Sequence, residues 1–140
     1  NKKNIKEVRE NYLGQVVYTG HRNAIKNELT VLEHINFTLP ARDNNQIEEA
    51  LIATKLDQFK NYKAYQLSEG QKRRLSILKL WCNQSPLWVL DEPFNNLDNE
   101  SIYTLEDLII NHLKKGQVIF TSHQKPIKSF KKMYEINLSE

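Results

Sequence analysis

The sequence has a single cysteine, Cys82, which rules out an internal disulfide and a cysteine-based metal site. A lone cysteine is also typical of a protein from a reducing compartment. The mean hydropathy of −0.64 and the lack of a long apolar run exclude a membrane-spanning helix. Basic residues exceed acidic residues by only 20 to 17, which is too small an excess to indicate nucleic-acid binding by itself.

What the sequence does contain is typical of one globular domain. Its 140 residues are 39% hydrophobic and 26% charged, which supplies enough apolar side chains for a buried core. The chain begins at Asn1 and its only methionine is Met133, so no ordinary translation start lies near the front. We therefore expect a fragment, a processed product or a decayed reading frame.

Short β-favouring runs alternate with helical patterns along the chain. The expected strands are residues 16–18, 87–90, 117–121 and 133–138. The expected helices begin after the caps Thr30, Ser68 and Asp98, cover residues 47–59, and begin again at Pro126. The helix after Ser68 is expected to carry Trp81 and to end at residues 85–86, and the helix after Asp98 to carry Leu113 and to stop at Gly116. The alternation predicts an α/β fold, in which residues 87–90 form a strand buried on both faces of a parallel sheet.

Two adjacent acids, Asp91 and Glu92, follow the most apolar of these strands. Ligands of open α/β sheets bind at the carboxyl ends of the strands, so both carboxylates are expected at a binding edge. Successive strand residues point to opposite faces, so the two acids are expected to have different tasks. One can reach a Mg²⁺ shell and the other can activate a water for attack on a phosphoryl group. The alternative is a strand that ends in a solvated acidic turn.

Residues 67–71, Leu-Ser-Glu-Gly-Gln, form a second candidate site. Ser68 and Gln71 have the spacing of a capping box, and the simplest interpretation is that they only start a helix. Gly70 lies in the first turn, where glycine is unfavourable relative to alanine, and this suggests that something approaches the backbone closely there. A helix N-terminus with a free hydroxyl and free amides is suited to a phosphate. His123 is a third candidate, because it follows the strand at residues 117–121 and is expected at the same sheet edge as the two acids.

Four motifs in this order resemble those of the ABC-transporter ATPases. They are the signature motif at residues 67–71, Walker B at residues 90–93, the D-loop at residues 95–98, and the switch histidine at His123. The resemblance implies ATP and Mg²⁺ as ligands. It implies that Asp91 holds Mg²⁺ through its water shell, that Glu92 is the general base, and that His123 contacts the γ-phosphate. It also implies that Ser68, Gly70 and Gln71 contact ATP held by a second ATP-binding subunit, with Asp98 at the seam of the dimer.

Residues spread over nearly the whole chain resemble the haem-exporter branch of that family, which acts in cytochrome c biogenesis. They include Gly20-His21, Arg73-Arg74 and residues 86–94, and His21 stands where most ABC ATPases have a glutamine. Arg22 and Glu69 depart from the pattern of this branch. The resemblance implies transmembrane subunits as partners, a peripheral position on the cytoplasmic side of the inner membrane, and no nucleic-acid partner. It implies an incomplete P-loop NTPase sheet at residues 1–26 and 84–140, with a helical subdomain inserted at about residues 27–83.

One motif of the family does not occur in these 140 residues. The pattern G-x-x-x-x-G-K-[ST], whose amides and lysine cradle phosphates, is absent, and the four glycines are scattered. A non-catalytic remnant that serves as an interaction module is therefore an alternative to the ATPase. A third hypothesis is an ABC ATPase acting on nucleic acid, suggested by four lysines that also fit a solvated basic face. They are Lys125, Lys128, Lys131 and Lys132.

Overall fold

The computed structural model describes residues 14–39, 43–123 and 134, and within them three strands form one parallel sheet. The strands are β1 (Val16–Thr19), β2 (Leu87–Asp91) and β3 (Gln117–Thr121), in the order β1-β2-β3. The predicted parallel arrangement and these three strand positions are confirmed. The predicted strand at residues 133–138, the helix from Pro126 and the lysines of the nucleic-acid hypothesis lie outside the described residues.

Four α-helices accompany the sheet in the described part of the chain. They are α1 (Val31–Thr38), α2 (Asn44–Ala53), α3 (Glu69–Leu78) and α4 (Asn99–His112). Both predicted capping boxes are formed, at Thr30 before α1 and at Ser68 before α3, and Asp98 caps α4 as expected. Within residues 14–39, 43–123 and 134, no helix combines the length and the apolar character needed to cross a bilayer.

The sheet is covered on one face in the described residues, which corrects the expectation that β2 is buried on both. Trp88 and Leu90 are 2% and 1% exposed, and they pack with Leu105 and Ile109 of α4. On the other face, the row formed by Tyr18, Val89 and Ile119 includes two side chains that are nearly 60% exposed. Because side chains alternate between faces, the helix contacts found among residues 14–39 and 43–123 lie on the Trp88 face.

A second core cluster lies between the helices of the region before β2. Its largest members from α1, α2 and α3 are Ile35, Leu51 and Leu78, all at most 1% exposed. Helix α3 contributes to both clusters, since Ile77 packs with the sheet cluster while Leu78 packs with α1 and α2. Helix α3 therefore joins the helical region to the sheet.

The helix predicted for residues 47–59 is shorter than expected. It ends at Ala53, and Lys55 adopts a φ of 55°, which an α-helix cannot accommodate. The Leu56 amide then donates to the Leu51 carbonyl at 2.8 Å, so that Leu56 is buried from a turn rather than from a helix face. Phe59 lies in a separate 3-10 turn, and Ile52, which was predicted on the apolar face, is 64% exposed.

Two further helices also end earlier than predicted. Helix α3 ends at Leu78, and Trp81 lies in the turn that follows, half-buried between the two core clusters. Helix α4 ends at His112, so Leu113 is a C-cap residue that is 38% exposed and does not belong to the buried stripe. Gly116 does not stop the helix directly, as the sequence predicts, but closes the turn after it, with its amide donating to the His112 carbonyl at 2.9 Å.

Candidate functional site

The carboxyl ends of the three parallel strands meet at the carboxylate of Asp91. Its Oδ1 accepts a hydrogen bond from the Thr121 hydroxyl at 2.7 Å, which ties β2 to β3. Its Oδ2 accepts from the His21 backbone amide at 3.2 Å, which ties β2 to the turn after β1. The structure therefore brings His21 and Asp91 together, although the contact is made by the backbone of His21.

Glu92 follows the last residue of β2 and has a left-handed backbone, with a φ of 48°. Its amide donates to the Thr121 carbonyl at 3.0 Å. Both oxygens of its carboxylate lie 3.2 Å from the His123 amide, which donates to them, and the carboxylate is about one-tenth exposed. The expectation from strand alternation does not apply to Glu92, because the left-handed residue turns the chain instead of continuing the pleat.

The ring of His123 lies beside Glu92 but points outward. Its Nε2 is 3.4 Å from Glu92 Oε1, and the side chain is 96% exposed. A ring so exposed contributes little packing to the core, so the structural alternative for this histidine has little support. The prediction that His123 lies at the same edge as Asp91 and Glu92 is confirmed.

Arg73 of α3 lies directly beneath this edge and is only 2% exposed. Its guanidinium donates to three backbone carbonyls, those of Gly20 at 3.0 Å, Asp91 at 3.0 Å and Glu92 at 2.6 Å. Burial lowers the pKa of the Arg73 guanidinium, while the nearby charges of the two acids raise it. The sequence motifs do not predict a role for Arg73 at this edge. A charged residue four positions before the buried Ile77, on the same helical face, was the available signal.

The residues predicted at the start of α3 form a second group. Ser68 Oγ accepts from the Gln71 amide at 3.2 Å, and the Ser68 amide donates to the Gln71 side chain at 2.8 Å. Among the described residues, each of these two side chains accepts a hydrogen bond from the backbone amide of the other residue. Neither side chain is hydrogen-bonded to the carboxylate of Asp91 or Glu92. The Gln71 side chain is half-buried, while Ser68 is exposed.

Gly70 has a reason to be glycine inside this chain. A Cβ at this position would lie 3.0 Å from the backbone carbonyl oxygen of Asn96, which has a φ of 60° in the turn after Glu92. The expected close approach to the backbone is therefore made by the D-loop segment, and it needs no ligand. This contact joins the start of α3 to the segment that follows the two acids.

Asp98 closes the same segment as the N-cap of α4. Its carboxylate accepts from the Ser101 amide at 2.8 Å, and this hydrogen bond lowers the pKa of Asp98. Asp98 is exposed, so its side chain is accessible to a partner. The hydrogen bond to Ser101 shows that Asp98 is a helix cap. The role of Asp98 at a dimer seam stays a prediction.

Comparison with known proteins finds relatives along the whole chain. A family model described as ABC transporter matches residues 1–95. The chain is 36% identical over 141 residues to the "Cytochrome c biogenesis ATP-binding export protein CcmA" of Vibrio cholerae, covering 97% of this chain and 68% of the relative. It is 35% identical to the protein of the same name from Escherichia coli strain K12, covering 96% of this chain and 65% of that relative.

Solved structures share the fold at lower identity. The structure titled "Structure of ATP binding subunit of ABC transporter" superposes with a TM-score of 0.74 at 22% identity, covering 86% of this chain and 53% of that chain. A dimeric bacterial ABC transporter cassette superposes with a TM-score of 0.71 at 23% identity, covering 89% of this chain and 59% of that chain. This chain thus spans about half to two thirds of the proteins it matches. The predicted incomplete P-loop NTPase fold is confirmed by these superpositions, and the chain belongs to the ABC transporter family of ATP-binding cassettes.

Proposed function

We propose that this chain is part of the ATP-binding subunit of an ABC exporter that serves cytochrome c biogenesis by exporting haem. The observation that carries the proposal is the 36% identity over nearly the whole chain to an ATP-binding export protein of cytochrome c biogenesis. The convergence of Asp91, Glu92 and His123 at one sheet edge supports it, because phosphoryl transfer depends on positioned charges at such an edge.

Glu92 is the general base in this proposal. Its carboxylate is one-tenth exposed and held by the His123 amide, so one edge remains open to a water molecule. A base must lie within hydrogen-bond reach of the proton it removes, and a fixed carboxylate at the binding edge meets that requirement. The exposed ring of His123, 3.4 Å from Glu92, can donate to the terminal phosphate.

Asp91 is better suited to hold a magnesium ion through bound water than to coordinate it directly. The described residues contain no group of three or more side chains of the metal-binding types able to hold an ion by themselves. Mg²⁺ keeps several waters and is commonly held by one or two carboxylates together with substrate phosphates. The hydrogen bonds from Thr121 and His21 leave lone pairs on both Asp91 oxygens for such waters. Mg²⁺ supplies charge neutralisation on the phosphates when it is bound.

The group at the start of α3 is proposed to contact nucleotide held by a second ATP-binding subunit. Ser68 accepts one hydrogen bond within the capping box, but its hydroxyl proton is free to donate. The first-turn amides and the helix dipole favour an anion at this end. Glu69 forms an ion pair with Lys72 at 2.9 Å, which offsets its negative charge at this end of the helix. Asp98 would lie at the seam of the same dimer, and His21 would line the nucleotide site beside Asp91.

The remaining expectations concern the rest of the assembly. The division into a helical subdomain at about residues 27–83 and a RecA-like core elsewhere is kept as part of the proposal. Helices α1, α2 and α3 share a core cluster apart from that of the sheet, which supports a separately packed subdomain. The proposed partners are the transmembrane subunits of the haem exporter, and the proposed location is the cytoplasmic side of the inner membrane. Nucleic acid is not a proposed partner.

A second candidate function is a non-catalytic interaction module. The absence of G-x-x-x-x-G-K-[ST] from the 140 residues favours it, because the phosphate loop supplies most of the contacts to the triphosphate. For the same reason, we expect these residues alone neither to bind ATP tightly nor to hydrolyse it. Asp91 and Glu92 form an acidic edge that repels ATP unless Mg²⁺ lies between them.

The experiment compares this chain with a version extended at its N-terminus by a phosphate-loop segment. Calorimetry with Mg-ATP measures binding, and phosphate release measures turnover. The extended protein should bind and hydrolyse ATP. Its Glu92→Gln variant should still bind, should lose nearly all turnover, and should accumulate as an ATP-bound dimer. The exposed Glu28→Gln variant is the matched control.

One result would contradict the proposed role of Glu92, and another would contradict the expected inactivity of the 140 residues alone. Steady-state hydrolysis by Glu92→Gln within a few-fold of the parent would remove Glu92 from the role of base. Low-micromolar binding of ATP by the 140 residues alone, with phosphate release abolished by Glu92→Gln, would show that the phosphate loop is not needed here.

A further inference from the structure

Arg73 is a buried arginine whose guanidinium contacts no carboxylate among the residues that the structure describes. Its hydrogen-bond partners are three backbone carbonyls and the side-chain oxygen of Asn23 at 3.4 Å, and its Nε has no partner among the described residues. Burial of a charge is costly unless its hydrogen bonds are nearly all made, and this set is incomplete. An apolar residue here would leave the carbonyls of Gly20, Asp91 and Glu92 without this donor, so the guanidinium serves the backbone of the sheet edge and not a charged partner.

Glu92 is a strained residue at the point that Arg73 contacts. A φ of 48° crowds the Cβ of any residue other than glycine, and the chain adopts it only where the surroundings enforce it. The carbonyl of Glu92 accepts the shortest of the Arg73 hydrogen bonds, at 2.6 Å. The amide of Glu92 is held on the opposite side by the Thr121 carbonyl at 3.0 Å. The strained residue is thus held at both ends.

The left-handed conformation decides where the Glu92 carboxylate points. In the left-handed conformation, both carboxylate oxygens of Glu92 accept from the His123 amide, and the side chain is about one-tenth exposed. An extended Glu92 would continue the alternation of β2 and would place its side chain on the face of the sheet that carries Trp88 and Leu90. The φ angle of Glu92 therefore determines the direction in which its carboxylate points.

We propose that Arg73 is a positioning residue, which holds Glu92 in its left-handed conformation and so aims the carboxylate along the end of β3. The bond to the Gly20 carbonyl fixes the turn that carries the His21 amide to Asp91, so one guanidinium orients both acids. The consequence for catalysis rests on the proposed function, since it requires Glu92 to act as the base. The positioning itself does not.

The test uses the chain as it is and follows backbone signals by NMR. The one-bond Cα–Hα coupling of Glu92 distinguishes a left-handed from an extended backbone, and hydrogen exchange of the His123 amide reports its bond to the carboxylate. Arg73→Gln should move the Glu92 coupling to its extended value and speed exchange at His123 at least tenfold. The neighbouring Arg74→Gln, the matched control, should change neither.

Arg73→Lys serves where Arg73→Gln is too unstable to study. Lysine keeps the buried charge but cannot span three carbonyls, so it should give the same two changes in a folded chain. Retention of the left-handed coupling, with His123 exchange within twofold of the parent, would overturn the proposal in either variant. Unfolding of both variants would also overturn it, because the arginine would then serve the stability of the fold.

Turnover separates this proposal from the proposed function. In the extended protein, Arg73→Lys should lower kcat at least tenfold and leave KM for ATP within twofold, because the triphosphate contacts are made elsewhere. If the extended parent does not hydrolyse ATP, the proposed function fails and the NMR result still decides the role of Arg73.

Discussion

Gly116 lies where the end of α4 turns into β3, and its replacement by alanine should destabilise the chain. A Cβ at this position would lie 2.4 Å from His112 Nε2, 2.5 Å from His112 Cε1 and 2.7 Å from the Pro86 carbonyl oxygen. Ordinary contacts between such atoms are about 3.5 Å or more, so the neighbours would have to move by about 1 Å.

Neither neighbour of Gly116 is free to move. The His112 ring is stacked on Trp88 at 3.8 Å between centroids and is 4% exposed. The Pro86 carbonyl belongs to the backbone just before β2 and accepts from the Gln117 amide at 2.8 Å. Overpacking at such a site costs about 1–3 kcal/mol in the free energy of unfolding. For a domain of this size, that loss lowers the melting temperature by roughly 3–15 °C.

Gly20→Ala is the matched control for Gly116→Ala. The three atoms nearest to a Cβ at Gly20 would all belong to the Tyr18 side chain, at 3.1–3.3 Å, and this phenol is 59% exposed and can rotate away. Urea unfolding followed by tryptophan fluorescence measures both variants against the parent. Equal stabilities for the two alanine variants would refute the reasoning, since they would show that the His112 stack yields as easily as an exposed tyrosine.

Three further predictions concern single side chains. In the extended protein, His123→Ala should reduce phosphate release at least tenfold without changing the melting temperature, and a large loss of stability would instead indicate a structural histidine. Burial lowers the pKa of His112 below its usual value, so unfolding takes up a proton as the pH falls through about 6.5. Stability should therefore decrease from about pH 8 to about pH 5, with less decrease in His112→Gln, and an identical pH profile for the two proteins would exclude this origin. Asp98→Ala should lower the free energy of unfolding by about 1 kcal/mol, because it removes the acceptor for the Ser101 amide. Asp98→Asn keeps an acceptor and should lower it much less, and equal losses in urea unfolding would contradict the capping role.

Local patterns in the sequence were sufficient for much of the fold. The capping boxes at Thr30 and Ser68 and the cap at Asp98 connect residues three positions apart, so their chemistry can be recognised without a fold. The three strands are short apolar or β-branched runs, and alternation with helices favours a parallel sheet. The placement of Asp91, Glu92 and His123 at one edge follows from parallel strands alone, because the carboxyl ends of such strands coincide.

The error in the length of the helix predicted for residues 47–59 has a physical cause. The apolar spacing from Ile47 to Phe59 fits one helix, but Lys55 adopts a left-handed conformation that the sequence did not indicate. Leu56 is buried although it lies in a turn. An apolar residue at helical spacing looks the same in the sequence whether a helix or a turn buries it. Tertiary packing of the core decided between a continuous helix and a helix followed by a turn.

The geometry of the candidate site was decided by contacts between residues far apart in the chain. Arg73 reaches Gly20 across 53 residues and Glu92 across 19, and no local pattern specifies either distance. The left-handed backbone of Glu92 is unfavourable in isolation, so a local analysis favours an extended residue there. The closed fold stabilises it through Arg73 and Thr121, because hydrogen bonds to buried carbonyls and amides outweigh the strain at a single residue. The residue types for the chemistry were thus readable from the sequence, and the aim of the Glu92 carboxylate was fixed only when α3 packed against the sheet.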